Sequence, residues 1–206
     1  MRKTEVTNRE KFNLILAFVT ASCEVLPSSS APSLVSMSSS PTWTIHEHII
    51  PASHPRGYRR GVRDPQTSRL KLHVKQYVPS RPPASPTAIT LIFQHGMPPG
   101  AAKEPYEPFF WDLISHPKCP PVRAVWALDA AGFGQSFLLN KDVIGDEPQW
   151  FDSVEDVRHM INYFQDEMRS PLIGIGQSWG SVAMLVNASR HPRLFQAIIL
   201  SDPVIE

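Results

Sequence analysis

The residue best placed to do chemistry is a serine held between two glycines. Ser178 lies in the stretch GQSWG, residues 176–180, after an apolar run and before a small-residue, helix-like pattern. A strand that reverses into a helix in so few residues has no room for side chains at Gly176 and Gly180. The turn also forces the serine into a strained conformation with its hydroxyl exposed. The pattern predicts that Ser178 is a nucleophile.

Two backbone N–H groups are predicted to hold the negative charge that develops when the serine attacks a carbonyl group. The first is the N–H of Trp179, because the helix that begins there points its free N–H groups at the serine. The second is the N–H of Met97, just past the His95-Gly96 pair at the end of an earlier strand. Together they would form an oxyanion hole.

A serine nucleophile also needs an acid and a base. Asp202 follows the next buried run and lies 24 residues after Ser178 (202 − 178 = 24). Asp-Pro after a strand is also ordinary turn chemistry, so both interpretations of Asp202 stay open. His191 lies at the far end of a helix about 12 residues and about 18 Å long, out of reach of the hydroxyl. His95 sits on the oxyanion side. The base is therefore unidentified.

The same glycines allow an alternative, a nucleotide-binding loop. Gly174, Gly176 and Gly180 follow a strand and open a helix, and Asp202 ends the next strand, where a dinucleotide-binding fold keeps its ribose-binding acid. The third glycine comes one place too late for the G-x-G-x-x-G pattern. The interpretation of Ser178 as a nucleophile, which needs no cofactor, is favoured over this alternative.

Other polar residues are assigned structural roles. His46 and His48 alternate onto one strand face, but no carboxylate or cysteine cluster lies in register with them, so no metal site is predicted. The arginines of residues 56–63 could bind an anionic substrate, and a solvated loop is favoured instead. Asp129, with the glycines that follow it, is expected to shape the turn beside the pocket.

The elements around these residues alternate in a regular order. Residues 43–52 and 70–78 alternate apolar and polar side chains, as half-buried strands do. Four nearly continuous apolar runs follow, within residues 88–96, 123–136, 171–178 and 195–203. Helical patterns separate them, the clearest over residues 151–168 with Asp152 as its N-cap. This order predicts an α/β fold, a mostly parallel sheet with helices on both faces and an antiparallel N-terminal edge.

Composition narrows the class of protein further. The chain has 206 residues, 42% of them apolar and 19% charged, which suits one globular core. A net charge of +1 gives no electrostatic reason to bind nucleic acid. Two cysteines make no disulfide framework. No apolar run approaches the roughly 20 residues that span a bilayer.

The first 41 residues differ in texture from the rest. Residues 27–41 contain eight serines and three prolines, a composition that predicts a disordered linker. Residues 1–21 have the outline of a secretory signal, but Glu5 and Glu10 argue against it, so an upstream extension is the other interpretation. Met37 is an alternative start. We therefore expect an extension over 1–41 and one α/β domain over 42–206.

Four motifs, in this order, resemble the α/β-hydrolase family: HGMPPG, LDAAGFGQS, GIGQSWGS and IILSDPV. The resemblance runs from about Trp43 to the end. The segments WTIHEHIIPASHPRGYRRGVRD and LKLHVKQYVP are similar to fungal hydrolases of toxin and secondary-metabolite clusters. The resemblance implies hydrolysis of an ester or thioester of a small molecule, with Ser178 as nucleophile and Asp202 as acid. It implies that His95 shapes the oxyanion loop. It also implies an intracellular location, in cytoplasm or peroxisome, although the family's peroxisomal tripeptide is absent.

The sequence departs from the family at the base, because the family places its histidine much later than the acid in chain order. The chain looks like the first two-thirds of such a hydrolase. We therefore expect it to be weakly active or inactive, or to be a remnant with a binding role. The last apolar run, FQAIIL, is expected to form an exposed sheet edge that favours homodimerisation.

Overall fold

A computed structural model describes residues 16–18, 43–81, 83–147 and 150–204. Their core is one mixed sheet. Its strands are β1 (Leu16–Phe18), β2 (Trp43–Pro51), β3 (Lys71–Pro79), β4 (Ile89–Gln94), β5 (Val122–Leu128), β6 (Leu172–Gln177) and β7 (Ala197–Ser201). They lie side by side in the order β1-β7-β6-β4-β5-β3-β2. β3 is antiparallel to both β2 and β5, and every other neighbouring pair is parallel. The predicted α/β sheet with an antiparallel N-terminal edge is confirmed.

Helices connect the parallel strands. They are a 3₁₀ helix (Glu104–Tyr106), α1 (Glu107–Ser115), α2 (Gly134–Asn140), α3 (Trp150–Tyr163) and α4 (Trp179–Arg190). The sequence predicted only a glycine-rich turn where α2 lies, because its seven residues are too short for a periodic apolar pattern. Within the described residues no helix is long and apolar enough to cross a membrane.

The sheet is covered on both faces, as the continuous apolar runs predicted. In β4, Leu91 and Phe93 pack with Phe110 of α1, whereas the intervening Ile92 packs on the opposite face with residues of α3 and α4. Successive strand residues point to opposite faces, so a strand buried on both sides must be apolar at every position. The sheet lies between the two cores, and the carboxyl ends of its parallel strands β4, β6 and β7 lie at one edge.

The arginine-rich loop is not fully solvated, contrary to the prediction, because one of its arginines is buried. The Arg56 side chain is 4% exposed and pairs with Asp152 through Nε, at 3.2 Å, and with Asp156 through Nη1, at 2.7 Å. Ser53 also donates to Asp156 through both its backbone N–H and its hydroxyl, each at 2.8 Å. The predicted N-cap role of Asp152 is wrong. That residue lies in the first turn of α3, where its carboxylate accepts the Gly57 N–H at 2.6 Å.

The outer edge of β7 is also different from the prediction. β1 pairs with it in parallel over three residues, with Leu16 opposite Ile198 and Phe18 opposite Leu200. The backbone of residues 16–18 therefore occupies the edge that was expected to be exposed. A strand there was also not expected, because 1–41 was assigned to an extension and linker. The boundary at 41/42, the secretory signal and the homodimer stay predictions, and most of the extension lies outside the described residues.

The Arg56 contacts predict a difference between two arginines of one loop. Arg56→Ala should lower the free energy of unfolding by about 3–5 kcal/mol, because it leaves two buried carboxylates without their cation. Arg60→Ala should cost about 0.5 kcal/mol or less, since the Arg60–Asp146 pair spans 3.5 Å and both side chains are mostly exposed. Urea unfolding followed by circular dichroism measures both. Equal losses would contradict a structural role for the buried pair.

Candidate active site

The predicted nucleophile lies on the turn between a strand and a helix. β6 ends at Gln177 and α4 begins at Trp179, so Ser178 alone makes the reversal, with φ 51° and ψ −119°. A Cβ atom on Gly176 would lie 2.3 Å from the backbone oxygen of Gly180, and one on Gly180 would lie 2.0 Å from that of Gln94. Both glycines are therefore required by close backbone approach. The strained conformation of Ser178 is the one that this turn was predicted to impose.

Asp202 follows the neighbouring strand at the same edge. Gln177 of β6 is paired with Ser201 of β7, and the Ser178 N–H donates to the Ser201 carbonyl at 2.8 Å. The next residue on each strand is therefore Ser178 on one side and Asp202 on the other. These two are the non-glycine residues with positive φ within the described part of the chain. Such strain concentrates at functional sites, and Asp202 is exposed.

The loop after β4 touches the nucleophile directly. The Gly96 N–H donates to Gln177 Oε1 at 3.1 Å, and the Tyr106 hydroxyl donates to the same oxygen at 3.0 Å. A Cβ on Gly96 would lie 2.9 Å from the Ser178 Cβ. Gln177, at one of the two variable positions of the turn motif, therefore connects the loop that carries Met97 to the turn that carries Ser178.

Both ring nitrogens of His95 form other hydrogen bonds, so His95 is not placed to act as the base. It is fully buried, and its Nε2 accepts the Ala130 N–H at 3.3 Å. Its Nδ1 is bonded to the Gly96 carbonyl. An acceptor at Nε2 and a carbonyl at Nδ1 require the neutral tautomer with its proton on Nδ1. Burial, the largest influence, lowers the pKa of His95 and so favours that neutral form.

This hydrogen bond also orients the predicted oxyanion donor. The carbonyl of Gly96 and the N–H of Met97 belong to one peptide unit, and in a planar trans peptide they point in opposite directions. Fixing the carbonyl on His95 therefore fixes where the Met97 N–H points. His95 can shape the loop, as the family resemblance implied, through a single peptide plane.

The other predicted donor, Trp179, is held by the first turn of α3. Its indole N–H donates to the Trp150 carbonyl at 3.0 Å and to Ser153 Oγ at 3.2 Å. The rings of Trp150 and Phe151 pack edge-on against it, with centroids 4.5 and 5.4 Å away. α3 in turn is anchored by the buried Arg56 pairs, so the arginine-rich loop stabilises the start of α4.

A network of buried charges lies behind the oxyanion loop. Asp129 is fully buried and accepts from the N–H of Lys103 at 2.9 Å, the N–H of Gln135 at 2.9 Å and Lys103 Nζ at 2.6 Å. Lys103 Nζ also pairs with Glu104 at 3.0 Å. Asp129 shapes the turn as predicted, since a Cβ on Gly134 would lie 2.5 Å from its carboxylate.

This group of charged residues resembles a metal site, but the Lys103 ammonium takes the place of the metal cation. Ligand atoms of His73, Glu104 and Asp129 lie within 4.8 Å of one another. The Lys103 ammonium contacts both carboxylates, so it supplies the positive charge that such a set requires. The His48 ring, one of the two histidines considered on β2, packs against Trp126 and Phe164.

An apolar cavity of about 400 Å³ opens beside Met97. It is lined by Met97, Ala130, Ala131, Gly132, Phe133, Phe137, Ile144, Gly145, Asp146, Glu147 and Trp150. Most of these side chains are hydrophobic, and the two carboxylates are grouped in adjacent residues. Such a cavity can hold an apolar acyl group next to the predicted oxyanion hole.

Sequence reasoning missed three of these residues. Gln177 stands at a variable position of its motif, and Lys103 is a single lysine in a loop with no pattern around it. The buried pairing of Arg56 was hidden among exposed arginines. Each acts through a partner distant in the chain, so no local signal could have identified it.

The dinucleotide alternative finds no support in this geometry. The glycines of the turn face protein atoms at close range, which explains them without a phosphate. A Cβ on Gly174 would meet Met184 Sδ at 3.0 Å, on the side of the sheet that α4 covers. The loop is built for packing of α4 on the sheet.

Comparison with known proteins agrees with the fold. A family model described as serine aminopeptidase, S33, matches residues 122–206. The chain is 42% identical over 165 residues to a type I acyl-CoA thioesterase, mpaH', of Penicillium brevicompactum, covering 80% of this chain and 37% of the relative. A thioesterase mpaH of Penicillium roqueforti (strain FM164) is 38% identical over 169 residues, covering 82% and 38%. The chain thus spans under two fifths of the length of these relatives.

A solved structure gives the same picture. The peroxisomal alpha-beta-hydrolase Lpx1 of Saccharomyces cerevisiae superimposes with a TM-score of 0.70 at 25% identity, covering 80% of this chain and 45% of the yeast chain. The predicted family resemblance is confirmed.

The glycine contacts predict a large effect from one methyl group. Gly180→Ala should lower the free energy of unfolding by about 2–4 kcal/mol, because the new Cβ would overlap the Gln94 carbonyl and force α4 away from β4. Gly132→Ala should change it by less than about 1 kcal/mol, since its Cβ would meet Ile144 at an ordinary 3.4 Å. Thermal unfolding of the two variants compares them. Similar melting temperatures would contradict the close approach.

Proposed function

The chain belongs to the α/β-hydrolase family, and we propose that it carries the nucleophile, acid and oxyanion hole of an ester or thioester hydrolase. The observation that carries this proposal is the geometry at Ser178. It is a strained serine at the end of β6, beside Asp202 at the end of β7, with the Met97 loop in contact with it. Nucleophilic acyl transfer uses these groups together with a base.

In the proposed reaction Ser178 Oγ attacks the carbonyl carbon of the substrate and gives its proton to a base. The N–H groups of Met97 and Trp179 hold the resulting oxyanion. The bond to the alcohol or thiol leaving group then breaks as that group takes a proton, and an acyl-serine remains. Water hydrolyses the acyl-serine to a carboxylic acid and restores the hydroxyl.

We propose an apolar acyl group as the substrate class. The cavity beside Met97 supports this, because its hydrophobic lining would bind an acyl chain or ring next to the site of attack. The Penicillium relatives are named acyl-CoA thioesterases, so a thioester is the first leaving-group chemistry to test. A role in fungal secondary metabolism and a location inside the cell are part of the same proposal.

We further propose that these 206 residues turn over weakly, because the base is missing. All eight histidines lie within the described part of the chain, and none of them forms a hydrogen bond there with Ser178 or Asp202. His95 is committed to Gly96 and Ala130. Binding of acyl compounds without rapid turnover is therefore the second candidate function.

A diffusible base tests the proposal, since imidazole can take the proton that no histidine takes. Without imidazole, the rate of p-nitrophenyl butyrate hydrolysis should lie within about tenfold of that of Ser178→Ala, because only oxyanion-hole and binding effects remain. Imidazole should raise the wild-type rate well above that of Ser178→Ala at equal concentration. Mass spectrometry should show the acyl adduct on Ser178 in the wild type.

Two outcomes would overturn parts of this proposal. Equal stimulation of both proteins by imidazole, with no adduct, would remove Ser178 as the nucleophile. A high rate without imidazole that Ser178→Ala abolishes would show that a base is supplied, for example by a second copy of the chain. In that case the weak-turnover proposal fails and the hydrolase proposal stands.

The cavity predicts a dependence on acyl length that one aromatic side chain controls. Phe137→Ala should raise KM for p-nitrophenyl octanoate several-fold and leave acetate nearly unaffected, because a short acyl group does not reach Phe137. Leu138→Ala is the matched control, since Leu138 is 57% exposed on the same helix and does not line the cavity. The measurement is imidazole-supported hydrolysis of both esters. A uniform rise in KM for both esters would contradict acyl binding in the cavity.

A further inference from the structure

A fully buried lysine, Lys103, lies behind the loop that carries Met97. It is not one of the groups that react or bind charge in the proposed acyl transfer. The side chains of Lys103 and Asp129 are both 0% exposed, and Nζ lies 2.6 Å from the carboxylate. Burying a charge is costly unless a partner compensates it. The chain has thus retained a charged pair where apolar side chains would pack, and the neighbours of the pair indicate what it does.

The neighbour that matters is His95. Its Nε2 lies 3.6 Å from Asp129 Oδ1 and accepts the Ala130 N–H. A buried carboxylate at this distance favours a proton on Nε2, because the imidazolium would compensate its charge. A protonated Nε2 would oppose the Ala130 N–H, donor against donor, and His95 would have to move. The tautomer that these hydrogen bonds require therefore depends on Asp129 being compensated by another group.

Lys103 is that group. Asp129 receives three donors that do not involve His95, and two of them come from Lys103, its N–H and its ammonium. The influence of each neighbouring charge on the pKa of His95 has the direction that this role of Lys103 requires. After burial, which lowers the pKa of His95 most, the Gly96 hydrogen bond, Asp129 and Glu104 raise it, and Lys103 lowers it.

We propose that Lys103 is a positioning residue: by compensating Asp129 it keeps His95 neutral, so that His95 Nδ1–H holds the Gly96 carbonyl and turns the Met97 N–H toward Ser178. The assignment of Met97 as an oxyanion donor rests on the proposed function. The effect of Lys103 on His95 and on the Gly96–Met97 peptide does not, and can be measured in the absence of substrate.

The test is a histidine titration by NMR. Long-range ¹H–¹⁵N spectra of the full chain, with His95 assigned through His95→Gln, report which ring nitrogen carries the proton. In the wild type at pH 7 the proton should lie on Nδ1. In Lys103→Met the ratio of protonated to neutral His95 at pH 6.5 should rise about tenfold or more, because the Asp129 charge is no longer compensated. The Met97 amide resonance should move with it.

Lys75→Met is the matched control. Lys75 pairs with Glu104 and Glu107 at 3.2 Å in the same charged region, but it contacts neither Asp129 nor His95. Its removal should leave the titration of His95 and the Met97 amide unchanged. An equal shift in this variant would show that the loss of any nearby positive charge has the same effect, and it would overturn the specific role of Lys103.

Two further measurements keep the proposal falsifiable. Lys103→Met combined with Asp129→Asn removes both charges and should return His95 to the neutral form, and a His95 that stays protonated would contradict the proposal. The wild-type spectrum does not depend on Lys103→Met, and a proton on Nε2 at pH 7 would overturn the proposal even if that variant did not fold.

Imidazole-supported ester hydrolysis supplies the functional readout. Lys103→Met should lower kcat about 10- to 100-fold with little change in KM, because the oxyanion donor acts in the transition state. A changed His95 titration with unchanged kcat would show that Lys103 sets the tautomer without positioning the oxyanion donor, and would overturn the catalytic half. Loss of Ser178 dependence in the wild type would instead count against the proposed function.

Discussion

The close approach of α4 to β4 is the constraint on which the site depends. The backbone at Gly180 lies so near the carbonyls of Gln94 and His95 that a Cβ would be 2.0 Å from the first of them. This approach brings the helix N-terminus to the strand edge, so Ser178 has no residues left in which to turn and takes a positive φ. It also brings Gly96 against Ser178. The positive φ of Ser178 and its proximity to the loop that carries Met97 thus share one steric cause.

A second layer of interactions decides how the peptide groups at this edge are oriented. Packing can place the Gly96–Met97 peptide, but it does not determine which way a carbonyl and an N–H point. Directional hydrogen bonds do that here. His95 is bonded to the Gly96 carbonyl, and the Gly96 N–H donates to Gln177. Preorganised donors lower the barrier only if they are already aligned before charge develops. The buried hydrogen bonds around the site are consistent with donors that are aligned in advance.

The sequence predicted the fold correctly and failed where charge was buried. Alternating and continuous apolar runs report which faces of a strand are covered, so the sheet and its antiparallel edge followed from them. Gly176 and Gly180 follow from the turn chemistry alone. Arg56 and Lys103 could not be predicted in this way, because a buried cation is recognised only by partners far along the chain. β1 was missed because three residues carry no periodicity.

The division between local and distant contributions also applies to the catalytic groups proposed above. The proposed nucleophile, acid and oxyanion donor Met97 follow the ends of β6, β7 and β4, three neighbouring strands, so the sheet packing that stabilises the fold also brings them to one edge. The proposed reaction also needs a base, and within the described residues no histidine forms a hydrogen bond with Ser178. Catalysis by the oxyanion hole is separable from catalysis by the triad, since hydrolases that lack triad members retain about 10³- to 10⁴-fold over water. The proposed oxyanion hole would therefore accelerate the reaction even without a base.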